Sequence, residues 1–165
     1  MQVSIEVIKV LRDRTGAGVL DCKKALIEAG GDVDDATAIL KKRGLWLAEK
    51  KAQRVTREGL IEAYIHIGGR LGALIEVNCE TDFVARTDEF KRLAHDLAMQ
   101  VAATAPRFIS ADEAAEGDDP AEACLLLQPF IKEPEKSIQD IITEAKARLG
   151  ENIRVRRFAR FQLEE

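Results

Sequence analysis

The sequence predicts an α+β chain: a compact three-helix bundle, a helical linker, and a small three-stranded antiparallel sheet packed with helices. Three observations carry that expectation. Apolar residues recur at steps of three and four over residues 4–44 and again after Thr87 and Ser137. Two alternating runs, 60–67 and 73–78, meet at Gly68-Gly69. A third alternating run closes the chain.

A length of 165 residues suits one medium domain or a small domain joined to a medium one. With 46% hydrophobic and 33% charged residues, the composition supports a core beneath a heavily charged surface and argues against disorder. The net charge of −4 argues against a dedicated nucleic-acid binder, which needs a basic face for phosphate. No secretory pattern opens the chain, and no window nears the roughly 18 consecutive apolar residues of a membrane span. The expectation is a cytoplasmic protein.

The first helix begins at the N-cap candidate Ser4, carries Ile5, Val7, Ile8 and Leu11, and stops at Thr15-Gly16-Ala17-Gly18. The second runs from Val19 through Cys22, Ala25 and Leu26 to Gly30-Gly31. Asp32 caps the third, which turns Val33, Ala36, Ile39 and Leu40 inward and closes at Lys41-Lys42-Arg43-Gly44. The bundle thus occupies residues 1–44. So small a unit leaves apolar surface to be explained. Val19 and Leu20 are adjacent on a helix, so only one can point squarely inward; they serve as core or as a contact for a partner helix. Lys9, Arg12, Lys23 and Lys24 ring that position with positive charge, or simply form a solvated face.

Residues 45–57 read as a helical linker containing Trp46 and Leu47, made basic by Lys50, Lys51 and Arg54. The second domain, 58–165, opens with the hairpin. Ile61, Ile65 and Ile67 define its more apolar face; Leu60, Tyr64 and Leu74 fall among polar groups on the other, which is half covered or an interface. The helix capped by Thr87, carrying Phe90, Leu93, Ala94, Leu97 and Val101, is expected on the apolar face. After it come an acidic loop over 106–120, a short helix over 121–127 and an extended loop over 128–134, with strand-like character at Arg107-Phe108-Ile109. The last helix follows Ser137 and ends at Gly150. In the final strand Ile153, Val155, Ala159, Phe161 and Leu163 share one parity against Arg154, Arg156 and Arg160, with a bulge or edge at Arg157-Phe158.

Between hairpin and helix lies Asn78-Cys79-Glu80-Thr81-Asp82-Phe83-Val84-Ala85-Arg86. An acid beside a phenylalanine at such a junction is either a helix cap with a core anchor or an acid-aromatic wedge offered to another protein. Thr81 and Val84 suit cap and anchor; Asp82 and Phe83 suit the wedge. Cys22, Cys79 and Cys124 are too scattered for a zinc or redox site and are expected to be reduced, partly buried thiols, with an intermolecular disulfide as the lesser alternative. His66 and His95 lie far apart and without a companion cluster. No metal, cofactor or catalytic constellation is expected, so the chain is not read as an enzyme.

Two stretches carry a family resemblance. Thr15-Gly16-Ala17-Gly18-Val19-Leu20-Asp21-Cys22-Lys23-Lys24-Ala25-Leu26 resembles the opening signature of bacterial elongation factor Ts, with Val19 and Leu20 where many members have methionines. Leu74 to Arg86 resembles the most diagnostic motif of that family, and Gln128-Pro129-Phe130-Ile131 with Gly150-Glu151-Asn152-Ile153 resembles its later segments. The resemblance spans essentially the whole chain, of the short type with a single core half.

It implies a ubiquitin-associated-like N-terminal bundle and guanine nucleotide exchange on elongation factor Tu. It also implies a homodimer through the core sheet. By resemblance, Asp82 and Phe83, flanked by Thr81 and Val84, reach the GTPase, and the phenylalanine disturbs its phosphate and magnesium region at a distance. Lys9, Arg12, Val19, Leu20, Lys23 and Lys51 are the N-terminal contact candidates, and His66 is a further one. One rival reading keeps the bundle as a helix- or peptide-binding module without exchange activity. Another takes the basic and aromatic residues of 154–161 as a single-strand nucleic-acid platform.

Overall fold

The computed structural model describes residues 3–164, with the backbone alone at residues 46–49, so the side chains of Trp46 and Leu47 lie outside the described residues. The chain divides into two compact units, Met1–Lys51 and Ala52–Glu165.

The first unit is a bundle of α1 (Ile5–Thr15), α2 (Val19–Glu28) and α3 (Val33–Lys51). Its caps follow the sequence. The Ser4 hydroxyl accepts from the Val7 amide at 3.3 Å, and an Asp32 oxygen accepts from the amides of Asp34 and Asp35 at 2.8 Å each. Leu11, Cys22, Ala25, Leu26 and Ala36 are fully buried, with Val7, Ile8, Ile39 and Leu40 packed around them. The third helix departs from expectation. It passes through Gly44 and continues to Lys51, because one glycine costs a helix only about 1 kcal/mol relative to alanine, and its neighbours are good helix formers.

The second unit is built on an antiparallel sheet of β1 (Glu58–Ile65), β2 (Leu71–Cys79) and β5 (Arg154–Gln162), with β2 central. Gly68 and Gly69, at φ of 93° and 68°, close the hairpin in a conformation side chains resist. Gly59 is required by proximity: a Cβ there would stand 2.1 Å from the Val77 carbonyl oxygen. Between β2 and β5 come α4 (Asp82–Ala85), α5 (Asp88–Thr104), α6 (Pro120–Ala123), the short pair β3 (Pro129–Phe130) and β4 (Glu133–Ser137), and α7 (Ile138–Leu149). Residues 128–134, expected as an extended loop, are therefore mostly a small hairpin. Gln100, wholly buried on α5, ties it down by donating to the Pro129 carbonyl and accepting from the Ile131 amide, both at 3.0 Å.

The sheet buries the face opposite to the one expected. Register pairs Leu60 with Val77 and Tyr64 with Ala73. These residues, with Ile75, meet Phe90, Leu93, Leu97 and Val101 of α5 and Ile138 and Ile142 of α7 in one core. Ile61 and Ile65 stay exposed, and so does Leu74, which pairs with Ala63 and thus shares their face. Only one face of the central strand is sealed by helices, so β2 decides the inside. The more apolar composition of edge strand β1 misleads. In β5 the expected irregularity is present: register shifts between Glu76 and Val77, which pair with Arg157 and Val155, leaving Arg156 as the extra residue. The bulge flips parity. Phe158 thereby packs inward with Val155, while Ala159, Phe161 and Leu163 turn outward, correcting the single parity assigned to them.

Candidate functional site

The Thr81–Arg86 turn grows from the end of the central strand. Cys79, the last residue of β2, is fully buried, and its thiol donates to the Thr81 carbonyl at 3.2 Å. Burial, then the negative charge of Glu151, pushes that thiol up to about 11, so it stays neutral at physiological pH. Thr81 is the N-cap of α4, its hydroxyl accepting from the Val84 amide at 3.3 Å.

Two adjacent side chains then part. Val84 is 6% exposed and belongs to the core, whereas Phe83 is 78% exposed. The Val84 side chain, included in the candidate partner-contact set, is thus an anchor beneath the surface. Asp82 is exposed and paired with Arg86, Oδ2 to Nη2 at 3.0 Å. Thr87 begins the next helix, its hydroxyl accepting from the Phe90 amide at 3.2 Å.

A second segment, arriving from the C-terminal part of the chain, clasps the turn. One Glu151 oxygen accepts from the amides of Glu80 and Thr81 at 3.0 Å each, and the other accepts from the Thr81 hydroxyl at 2.5 Å. Glu80 reciprocates by accepting from the Asn152 amide at 2.7 Å. The wholly buried Asn152 donates its side-chain amide to the carbonyls of Ala52 and Arg54 at 3.2 and 2.8 Å. Neither Arg86 nor Glu151 was assigned a role from sequence. Arg86 was legible as an i,i+4 partner of Asp82. Glu151 had only one local signal, an acid directly after a helix-stopping glycine.

In the first unit, Val19 and Leu20 open α2 with exposures of 50% and 72%. Neither is core. Lys9 and Arg12 on α1 and Lys23 on α2 are exposed, and Lys51 ends α3 half-buried. His66 is exposed just beyond β1, its Nδ1 3.0 Å from the Tyr64 hydroxyl. His95, on α5, stands edge-on to the same tyrosine at 5.8 Å and reaches Glu62 at 3.2 Å. Strand and helix packing therefore gathers two histidines that looked unrelated in sequence. Among the C-terminal arginines, Arg156 and Arg157 flank Glu76 at 3.5 and 3.6 Å, and Arg160 donates to the Ala102 carbonyl at 2.9 Å. Much of that strand's basic character is thus engaged internally.

Among the described residues no group of His, Cys, Asp and Glu could hold a metal ion, and no helix is long and apolar enough to cross a membrane. The chain thus presents large apolar side chains to solvent at two helix starts, Phe83 on α4 and Val19 with Leu20 on α2. The family model described as "Elongation factor TS" matches residues 6–117. The chain is 48% identical to elongation factor Ts of Heliobacterium modesticaldum, over 99% of this chain and 91% of that protein. It is 47% identical to that of Thermotoga neapolitana, over 100% and 99%, and 46% identical to that of Carboxydothermus hydrogenoformans, over 99% and 90%. These alignments span 195 positions against a chain of 165 residues, so the relatives carry insertions that this chain lacks. The chain belongs to the elongation factor Ts family, and its role lies in translation elongation.

Proposed function

We propose that this protein is a guanine nucleotide exchange factor that binds GDP-loaded elongation factor Tu in the cytoplasm and promotes GDP release without covalent chemistry. The observation that carries the reading is Phe83, 78% exposed beside a neighbour that is 6% exposed. A large apolar ring held outside the core loses its hydration only in a partner. Phe83 enters the GTPase domain, Asp82 supplies the adjacent charge, and Thr81 and Val84 hold the turn. The second grip is Val19 and Leu20, with Lys9, Arg12 and Lys23 around them and Lys51 at the end of α3. His66, held by Tyr64, is an additional contact.

Magnitudes fit this division. Burying one phenylalanine is worth about 1.5 to 3 kcal/mol, and each tenfold change in affinity takes about 1.4 kcal/mol. The ring can therefore drive roughly one to two decades of nucleotide release. Linkage makes the coupling reciprocal: GTP binding expels the factor by as much as the factor weakens nucleotide. The direct test mixes the protein with elongation factor Tu carrying a fluorescent GDP and follows release. Acceleration is expected; GDP release at the spontaneous rate rules the function out and leaves the binding-module reading.

The same proposal includes a homodimer through the outer face of the sheet. Ile61, Ile65, Leu74, Phe161 and Leu163 are all exposed there, an apolar cluster of the kind that marks an interaction surface. A second copy offers the same face and is self-complementary to it. Sedimentation should give a dimer that Ile65→Asp converts to monomer; a wild-type monomer at tens of micromolar contradicts the dimer.

A further inference from the structure

We propose that Glu151 is a positioning residue for nucleotide exchange, fixing the attitude of Asp82 and Phe83 through the three hydrogen bonds its carboxylate accepts from Glu80 and Thr81. The inference rests on the reading of Phe83 as the element that enters the GTPase.

Where β2 ends at Cys79, the next two backbone amides have no ladder partner in the sheet. Glu151, at the end of a different helix and 70 residues further along the chain, satisfies both with one oxygen. The chain reaches it through Gly150, whose left-handed φ of 75° ends α7. Its other oxygen accepts a hydrogen bond from the Thr81 hydroxyl, and that hydroxyl in turn accepts from the Val84 amide. A continuous chain of hydrogen bonds thus runs from Glu151 through the capping threonine into the helix that bears Phe83. The return bond from the Asn152 amide to Glu80 closes the clasp.

A ring acts as a wedge only if the backbone beneath it does not yield, and a turn already ordered avoids the entropy of being ordered on binding. Three donors converge on this side chain. A carboxylate accepts all three with charge-assisted bonds; glutamine leaves the two amides a neutral oxygen, which holds them roughly half as strongly, and sets an N–H donor against the Thr81 hydroxyl.

The test compares wild type with Glu151→Gln and with Thr81→Val and Thr81→Ser. The readouts are amide hydrogen exchange at residues 80 and 81 of the free protein and the release of fluorescent GDP from elongation factor Tu. In Glu151→Gln the two amides should exchange faster. The maximal release rate should fall about tenfold, and the half-saturating concentration should move less than twofold. Thr81→Ser should keep the wild-type rate and Thr81→Val should lose it. Glu151→Gln combined with Phe83→Ala should be no slower than Phe83→Ala alone, since both remove one device.

Unchanged amide exchange, an unchanged release rate, or defects that multiply in the double variant would each reduce Glu151 to an ordinary stabilising contact. A Phe83→Ala protein with normal release instead overturns the wedge itself, and this inference with it. Should Glu151→Gln fail to fold, the contrast between Thr81→Val and Thr81→Ser decides.

Discussion

Two exposed apolar sites sit at the start of a helix in this chain, and they are built differently. At the head of α2, Val19 and Leu20 follow Gly18, an N-cap with no side chain to hold the turn. The helix end there rests on a bundle whose fully buried hydrophobic residues, among the described residues, are Leu11, Cys22, Ala25, Leu26 and Ala36. At the head of α4, Phe83 follows a threonine cap, sits beside a core valine, and is clasped by a carboxylate from a distant helix end. Under the proposed function this difference matches the two roles: the same local pattern, a turn followed by apolar residues, would give an adaptable grip in one unit and a braced wedge in the other.

The largest effect that sharpens this contrast is on stability. Val84→Ala should cost roughly 2 kcal/mol by lost burial and cavity formation, while Phe83→Ala leaves the melting temperature near wild type. Equal melting temperatures for the two variants would mean that Val84 does not anchor the turn. Next is pH. Because the Cys79 thiol is raised from an unfolded value near 9.0 to about 11, the stability it contributes is complete below pH 9 and is lost as pH rises toward 11. The loss is on the order of 2 kcal/mol. Denaturant unfolding at pH 8 and pH 10.5 should show a larger decline for wild type than for Cys79→Ala; parallel declines would contradict the assignment.

For the grip, Val19→Asp should weaken binding to elongation factor Tu about tenfold, the equivalent of about 1.4 kcal/mol, at an unchanged melting temperature. Wild-type affinity in a titration would remove the bundle from the interface. The smallest effect is Arg86→Ala. Its ion pair with Asp82 is exposed, so stability should change by less than about 1 kcal/mol.

Much of this architecture was legible in the sequence, for identifiable reasons. Caps at Ser4, Asp32, Thr87 and Ser137 and the glycine stops at Gly16 and Gly150 are local signals, and each marks a helix end. The hairpin over Gly68-Gly69 and the bulge near Arg157 are likewise local. What sequence misassigned depends on partners far along the chain. Ile61 and Ile65 outrank Leu60 and Tyr64 in apolarity, yet the register with β2 and the helices above it put the isoleucines outside. In the candidate site, Thr81, Asp82 and Phe83 announce themselves by their order. Glu151 cannot, because its hydrogen bonds cross 70 residues.

The most direct test of the wedge is the maximal rate at which a saturating amount of the Phe83→Ala protein releases fluorescent GDP from elongation factor Tu. The account predicts a rate about ten- to a hundredfold below wild type from a variant with an unchanged melting temperature. A folded Phe83→Ala protein that releases GDP as fast as wild type would contradict it.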